Sequence, residues 1–155
     1  MSLPLKPIVV NAHFQQWGME FIGEINPASS GQHKWILTAT DFFTKWVEAI
    51  PIRNATDKVI INFIQENILS RFGCPKKLLT GNAKDFNSKA MVTFCEQNGI
   101  VLKHSTPYYP HGNGFSESTN KNIIQSIKKL LNQNKRSWDL MLKCALWADI
   151  ITTKK

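Results

Sequence analysis

Three short segments of this chain carry residue types suited to phosphodiester chemistry. They are residues 17–21 (WGMEF), 80–82 (TGN) and 113–117 (NGFSE), and 35 residues separate Gly81 from Glu117. Phosphodiester cleavage or transfer needs an activated oxygen nucleophile and a stabilised leaving oxygen on opposite sides of one phosphorus. Two Mg²⁺ ions about 3.5–4 Å apart can do both when carboxylates hold them. The first and third segments supply the carboxylates of Glu20 and Glu117, whereas the middle segment supplies none.

The residues around these segments resemble a known family. A Trp three positions before the first acid, and a glutamate that follows residues 108–114 (YYPHGNG) and opens a helical run, are similar to the catalytic core of retroviral and gypsy-type retrotransposon integrases. The likeness extends from residue 14 to residue 148. Residues 33–49 and 105–109 are especially similar to plant gypsy-type elements.

The resemblance implies which positions would bind metal. Integrases hold Mg²⁺ or Mn²⁺ with an Asp on the first strand, an Asp after the fourth strand and a Glu at a helix start, where this chain has Glu20, Gly81 and Glu117. The carboxylate of Glu117 is favoured by the helix dipole. Glu20 is one methylene too long, which displaces its oxygens by up to about 1.5 Å, and Mg²⁺ tolerates misplaced ligands poorly. We therefore expect Glu20 and Glu117 to be the remaining catalytic and metal-binding residues of a site with little or no activity.

Two aspartates could alter this expectation. Asp85 is a weak substitute for the acid missing at Gly81, because four residues of extended chain span up to about 13 Å and the loop would have to fold back. We favour a role for Asp85 in capping the helix that begins near Ser88. For Asp41, at the end of a predicted strand, we favour a turn or structural hydrogen bond over a metal contact.

Nucleic-acid contacts are expected on the face of the helix that carries Glu117. Asn120 and Lys121 follow Glu117 by three and four residues, which places them on one helical face, and Lys128 extends that face. Positions matching these contact DNA ends in the resembled family, although ordinary solvent-facing side chains are an equal alternative. Tyr108 could stack on an unpaired base or pack against the sheet edge.

Charge and composition favour a polyanionic partner. The net charge is +8, and residues 101–155 hold nine basic and three acidic residues, which accounts for +6 of it. Such a basic region is typical of nucleic-acid binding. A hydrophobic content of 43% and a mean hydropathy of −0.22 indicate a globular protein, and no secretory or membrane-spanning pattern is present. We expect a nuclear protein, or one held in an intracellular retrotransposon particle, with its cysteines reduced.

The hydrophobic pattern predicts an α/β domain with the element order βββαβαβαα. Predicted strands cover residues 17–25, 35–42, 45–50, 77–80 and 100–104, and the third strand is expected to stop at Pro51. Helices are predicted from a cap at Asn54 or Thr56 to residue 72, and over residues 88–97, 116–132 and 138–150. This order predicts a ribonuclease H-like fold with a five-stranded mixed sheet flanked by helices, which the resemblance also implies. We divide the chain into an N-terminal extension (1–13) and an integrase-core-like domain (14–155).

These patterns together predict an integrase core domain of a retrotransposon polyprotein, descended from a Mg²⁺-dependent polynucleotidyl transferase and catalytically impaired. Its expected partners are duplex DNA ends, target DNA and a second copy bound through the core-domain helices. The alternatives are a non-catalytic DNA- or RNA-binding module and a protein-interaction module, both derived from an integrase.

Overall fold

The protein is described by a computed structural model that covers residues 13–104, 125, 126, 129, 132 and 136–142. Within these residues the chain forms one five-stranded mixed sheet with the strand order β3-β2-β1-β4-β5. The strands are β1 (Gln16–Gly23), β2 (Trp35–Asp41), β3 (Val47–Ile52), β4 (Lys77–Thr80) and β5 (Val101–His104). The α/β class, the ribonuclease H-like fold and the mixed sheet predicted from the sequence are confirmed.

The sheet combines a local meander with two parallel crossovers. Strands β1, β2 and β3 pair antiparallel, with Glu20 opposite Thr38 and Thr38 opposite Ala49. Strand β4 adds parallel to β1, and β5 adds parallel to β4. A parallel connection needs a crossover long enough to hold a helix, which is why a helix precedes each of these two strands.

Pro51 lies inside β3, so the prediction that it ends the strand is wrong. Strand β3 continues to Ile52, and Pro51 is opposite Ile36 in the register. Because β3 is at the edge of the sheet, the missing N–H of a proline there removes no bond to a further strand. The sequence alone did not reveal that this strand would be at an edge.

The first crossover is a helix with a π-helical centre. Helix α1 (Asp57–Phe63) continues as a π-helical segment (Ile64–Leu69) and one last turn, α2 (Ser70–Phe72). The hydroxyl of Thr56 accepts a hydrogen bond from the backbone N–H of Val59, so Thr56 rather than Asn54 is the cap. The second crossover ends in helix α3 (Lys89–Gln97), capped by Ser88.

Each sheet face is covered by its own apolar cluster. On one face, Trp17, Met19 and Leu78 are fully buried beneath α1 and α3, whose contributions include Phe63 and Met91. On the other face, the cluster contains Ile36, Val47, Ala49, Trp138 and Leu142. Residues 138–142 are helical, as predicted, and they close this second layer.

Hydrogen bonds connect residues 136–142 to the loop between β1 and β2. A carboxylate oxygen of Asp139 lies 2.6 Å from Nδ1 of His33 and accepts a hydrogen bond from the Ser29 hydroxyl at 2.7 Å. The backbone N–H of Ser30 donates to the carbonyl of Arg136 at 2.6 Å. Desolvation raises the pKa of Asp139, but hydrogen bonds from Ser29, His33 and the backbone of Leu140, with the charge of His33, lower it below its ordinary value. The ionised carboxylate therefore suits the folded state.

Two thiols have contrasting surroundings. Cys74 is exposed and Cys95 is buried. Burial, with a smaller contribution from Cys74, raises the pKa of the Cys95 thiol to about 11. Among the described residues, no helix is long and apolar enough to cross a membrane.

Candidate active site at strands β1 and β4

Glu20 lies near the centre of the sheet, on the face opposite the larger cluster. Successive residues of a strand alternate between faces, and Trp17 and Met19 are fully buried in the larger cluster. Their burial directs Glu20 to the other face, where it is half-buried. Its backbone carbonyl accepts a hydrogen bond from the Thr38 hydroxyl at 3.3 Å. The neighbouring strands therefore fix the backbone that carries this carboxylate.

Gly81 adjoins Glu20 in space. Strand β4 pairs Thr80 with Met19, and the N–H of Gly81 donates to the carbonyl of Met19 at 3.3 Å. A Cβ atom built at position 81 would lie 3.9 Å from Cγ of Glu20. A side chain at position 81 would thus extend beside that of Glu20, on the same sheet face. The fold brings together two of the three acid positions identified in the sequence, and one of them has no side chain.

A histidine bridge supports the chain around position 81. The Thr80 hydroxyl donates to the carbonyl of Gly81 at 3.1 Å, and Nδ1 of His104 lies 2.7 Å from the same hydroxyl oxygen. Nε2 of His104 lies 3.1 Å from Oδ1 of Asn87. This bridge joins the ends of β4 and β5 to the turn that follows Gly81. No motif in the sequence predicted this bridge, although polar residues that end two adjacent parallel strands, such as Thr80 and His104, are a signal for it.

Asp85 lies in a short 3₁₀ turn, Lys84–Asn87, beyond Gly81. No Asp85 atom comes within 4 Å of the Cβ position at residue 81. The cap of α3 is the Ser88 hydroxyl, which accepts from the N–H of Met91 at 3.1 Å. Thus Ser88 itself, and not Asp85, performs the capping role that the sequence suggested for Asp85.

Asp41 has the structural role predicted for it. Its carboxylate is fully buried and accepts hydrogen bonds from the N–H of Phe14 and from the N–H and hydroxyl of Thr44, at 2.6–3.0 Å. These bonds close the turn between β2 and β3. They also hold the start of the domain against that turn, so Asp41 is not oriented as a metal ligand.

The described residues do not form a metal site. No group of three or more His, Cys, Asp or Glu side chains in the described part of the chain could hold an ion. Glu20 is the acid of the predicted set that the structure describes, and Gly81 adds no donor atom. The other predicted site residues lie outside the described residues: Glu117, Asn120, Lys121, Lys128 and Tyr108.

Comparison of the sequence with known families gives a match to the integrase core domain over residues 10–110. The chain is 34% identical over 132 residues to the Pol polyprotein of Radiation murine leukemia virus (strain Kaplan), covering 84% of the chain and 22% of that polyprotein. It is 30% identical over 132 residues to the Gag-Pol polyprotein of Avian reticuloendotheliosis virus, covering 85% of the chain and 11% of that polyprotein. The chain therefore spans less than a quarter of the length of these relatives.

Solved structures share the fold. The crystal structure of the catalytic core domain of BIV integrase matches with a TM-score of 0.68 and 20% identity, covering 85% of this chain and 80% of that one. The simian T-cell lymphotropic virus intasome in complex with the PP2A regulatory subunit B56 gamma matches with a TM-score of 0.70 and 21% identity, covering 86% of this chain and 47% of that one. By the family match, and with a sheet arranged as in these proteins, this chain belongs to the integrase core domain family.

Proposed function

We propose that this chain is the integrase core of a retroelement polyprotein that binds DNA but has lost most of its polynucleotidyl transfer activity. The observation that carries the proposal is the contact geometry at position 81. Position 81 lies beside Glu20, as the second acid of a two-metal site should, yet it is a glycine. The scaffold for phosphoryl transfer is retained while one ligand is missing.

The missing ligand affects binding of divalent metal directly. In a complete site, carboxylates at positions 20, 81 and 117 would hold Mg²⁺ or Mn²⁺, which polarises the phosphate and activates water when bound. This chain supplies only those of Glu20 and Glu117. With Gly81, the positive charge of two metal ions would be offset by fewer anionic ligands. Glu20 adds a second defect, because its extra methylene places the carboxylate further from its backbone than an Asp would.

We propose that this chain binds DNA because of its positive charge and its structural similarity to an integrase in a DNA-integration complex. The chain has a net charge of +8, and its solved structural relatives include an intasome. We propose duplex DNA ends and target DNA as partners, and a second copy bound through the core-domain helices. A plant-like gypsy element as the source, and location in the nucleus or in an intracellular retroelement particle, belong to the same proposal.

A non-catalytic module is the second candidate, and Gly81 favours it. A core that cannot bind two metals could still act as a DNA- or RNA-binding module through its basic surface. It could also act as a protein-interaction module. A protein partner is supported by the simian T-cell lymphotropic virus intasome, a structural neighbour that was solved in complex with the PP2A regulatory subunit B56 gamma.

Metal titration tests the missing-ligand proposal. We expect the parent chain to bind Mn²⁺ weakly by calorimetry, and the double variant Glu20→Asp/Gly81→Asp to bind it at least tenfold more tightly. Asp85→Asn is the matched control and should leave both affinities unchanged. Tight binding by the parent that Asp85→Asn abolishes would show that Asp85 replaces the missing acid.

Strand transfer on model long-terminal-repeat ends tests the loss of activity. The parent should give no product with Mg²⁺ or Mn²⁺. Product formed by the parent and abolished by Glu117→Gln would overturn the proposal of impaired catalysis. DNA binding is measured in the same reactions without metal, which separates the catalytic proposal from the binding proposal.

A further inference from the structure

Two lysines on adjacent strands share the sheet face that carries Glu20. The parallel registers pair Gly18 with Leu79, and Leu79 with Lys103. Because side chains of paired residues point to the same face, Lys103 and Leu79 lie on the face of Gly18 and Glu20. Lys77 and Val101, which are paired two residues earlier, lie on it as well. We call these four residues of β4 and β5 the β4–β5 strip.

The β4–β5 strip is accessible to a ligand. Val101 is 51% exposed and Lys103 is exposed, while Lys77 and Leu79 are half-buried. The alternate residues of the same strands, on the opposite face, are less exposed: Leu78 is fully buried and Leu102 packs against the larger cluster. The exposure is therefore a property of this face and not of a frayed edge.

The β4–β5 strip is positively charged, whereas Glu20 on the same face is an acid. Among the described residues, this face of β4 and β5 holds two lysines and no carboxylate. Strands about 4.8 Å apart with a rise of about 3.3 Å per residue place Cα of Lys103 roughly 8 Å from Cα of Lys77 and roughly 12 Å from Cα of Glu20. Backbone pairing holds these spacings fixed. Two positive charges thus stand at fixed positions on the face of Glu20, the nearer one roughly 12 Å from it.

We infer that the β4–β5 strip binds the phosphate backbone of a DNA strand that passes the candidate active site at Glu20 and Gly81. This inference rests on the proposed function. Lysine supplies a point charge suited to phosphate, and Val101 and Leu79 give apolar contact for the sugars. At a rise of about 3.4 Å per nucleotide, the strip binds phosphates roughly three to four nucleotides from the nucleotide nearest Glu20. Its role is to hold the strand in register, with no reading of base sequence.

The salt dependence of DNA binding tests the strip. Binding of a short blunt-ended duplex is measured across a range of salt concentrations for the parent and for Lys77→Gln/Lys103→Gln. Each phosphate contact contributes about 0.9 to the log–log salt slope, so the double variant should lose about 1.8 of that slope and bind at least tenfold more weakly at low salt. The control is Lys58→Gln/Lys89→Gln, which removes the same charge from exposed positions on α1 and α3 over the opposite face.

The outcomes separate this inference from the proposed function. DNA binding by the parent with equal losses of slope in both double variants would overturn the strip and leave the proposed function standing. No DNA binding by the parent would overturn both. A second measurement needs no variant, because bound duplex should protect Lys77 and Lys103 from acetylation in the parent while Lys58 and Lys89 stay reactive. Lack of that protection in a DNA-bound parent would also overturn the strip.

Discussion

At the scale of single residues, the candidate site depends on one missing side chain. Gly81 is hydrogen-bonded in the sheet beside Glu20, and the Cβ atom that it lacks would contact only Glu20 Cγ among the described residues. Nothing in this backbone requires glycine. Glycine at position 81 therefore serves no structural need that the described residues reveal.

Two separate glycine-to-alanine variants test whether the backbone at position 81 requires glycine. Gly81→Ala should change the free energy of unfolding by less than about 1 kcal/mol, because space is available. Gly23→Ala is the contrasting variant and should lower it by more than about 1 kcal/mol. At Gly23, φ is +146° and a Cβ would lie 2.8 Å from the Trp35 ring and 2.9 Å from the carbonyl of Lys34. Urea unfolding measures both, and a large loss for Gly81→Ala would assign that glycine a structural role.

Thiol labelling tests the burial of Cys95. In a Cys144→Ser background, the exposed Cys74 should react rapidly with a disulfide reagent in the folded protein, and the buried Cys95 only on unfolding. The pKa of Cys95 is raised from 9.0 to about 11. The unfolded chain therefore loses this proton first, and the stability contribution of Cys95 is lost as the pH rises from 9.0 towards 11. Rapid labelling of Cys95 in the folded Cys74→Ser variant would contradict this burial.

At the scale of elements, the contact between Asp139 and His33 joins two segments more than 100 residues apart in sequence. The folded pKa of Asp139 is lowered from its ordinary value of 3.8, so its contribution is fully present above that pH and is lost as the pH falls through the folded pKa. The parent should therefore be more stable than Asp139→Asn near neutral pH, and the two should converge in acid. Urea unfolding across this range is the measurement, and a difference that does not depend on pH would contradict the role of the charge.

Local sequence patterns were sufficient to predict the bounds of some helices and strands but not of others. Strand β4 and helix α3 were predicted within one residue, because Thr80 is followed by Gly81-Asn82 and Ser88 is a strong capping residue. The end of β3 was wrong because proline is excluded from a central strand but not from an edge strand. Which strand is at an edge depends on the order of all five strands.

At the scale of the whole molecule, each sheet face carries an apolar cluster, and Trp138 belongs to the cluster on the face of Glu20. Trp138→Ala should lower the free energy of unfolding by about 3–5 kcal/mol, because the side chain is fully buried against Ile36 and Val47. Leu140→Ala is the matched control at a position that is 78% exposed, and it should cost less than about 0.5 kcal/mol. Trp138→Phe should retain most of the stability, since the indole N–H has no hydrogen-bond partner among the described residues. Equal losses of unfolding free energy in Trp138→Ala and Leu140→Ala would show that the apolar cluster around Trp138 does not stabilise the fold.

The sequence by itself determined the family and the element order up to β5, and it pointed to Glu20, Gly81 and Glu117 as candidate acid positions. Glu20 and Gly81 could be located because the short motifs around them are local in the chain. Only the tertiary structure decided that these two positions are adjacent and that His104 supports the chain at Thr80 and Gly81. The reason is that the parallel pairings join residues distant in sequence, such as Met19 with Thr80 and Thr80 with His104, and the register of β1 with β4 is set by the burial of Trp17, Met19 and Leu78 together. No local pattern specifies that register, and therefore none specifies which side chains meet across it.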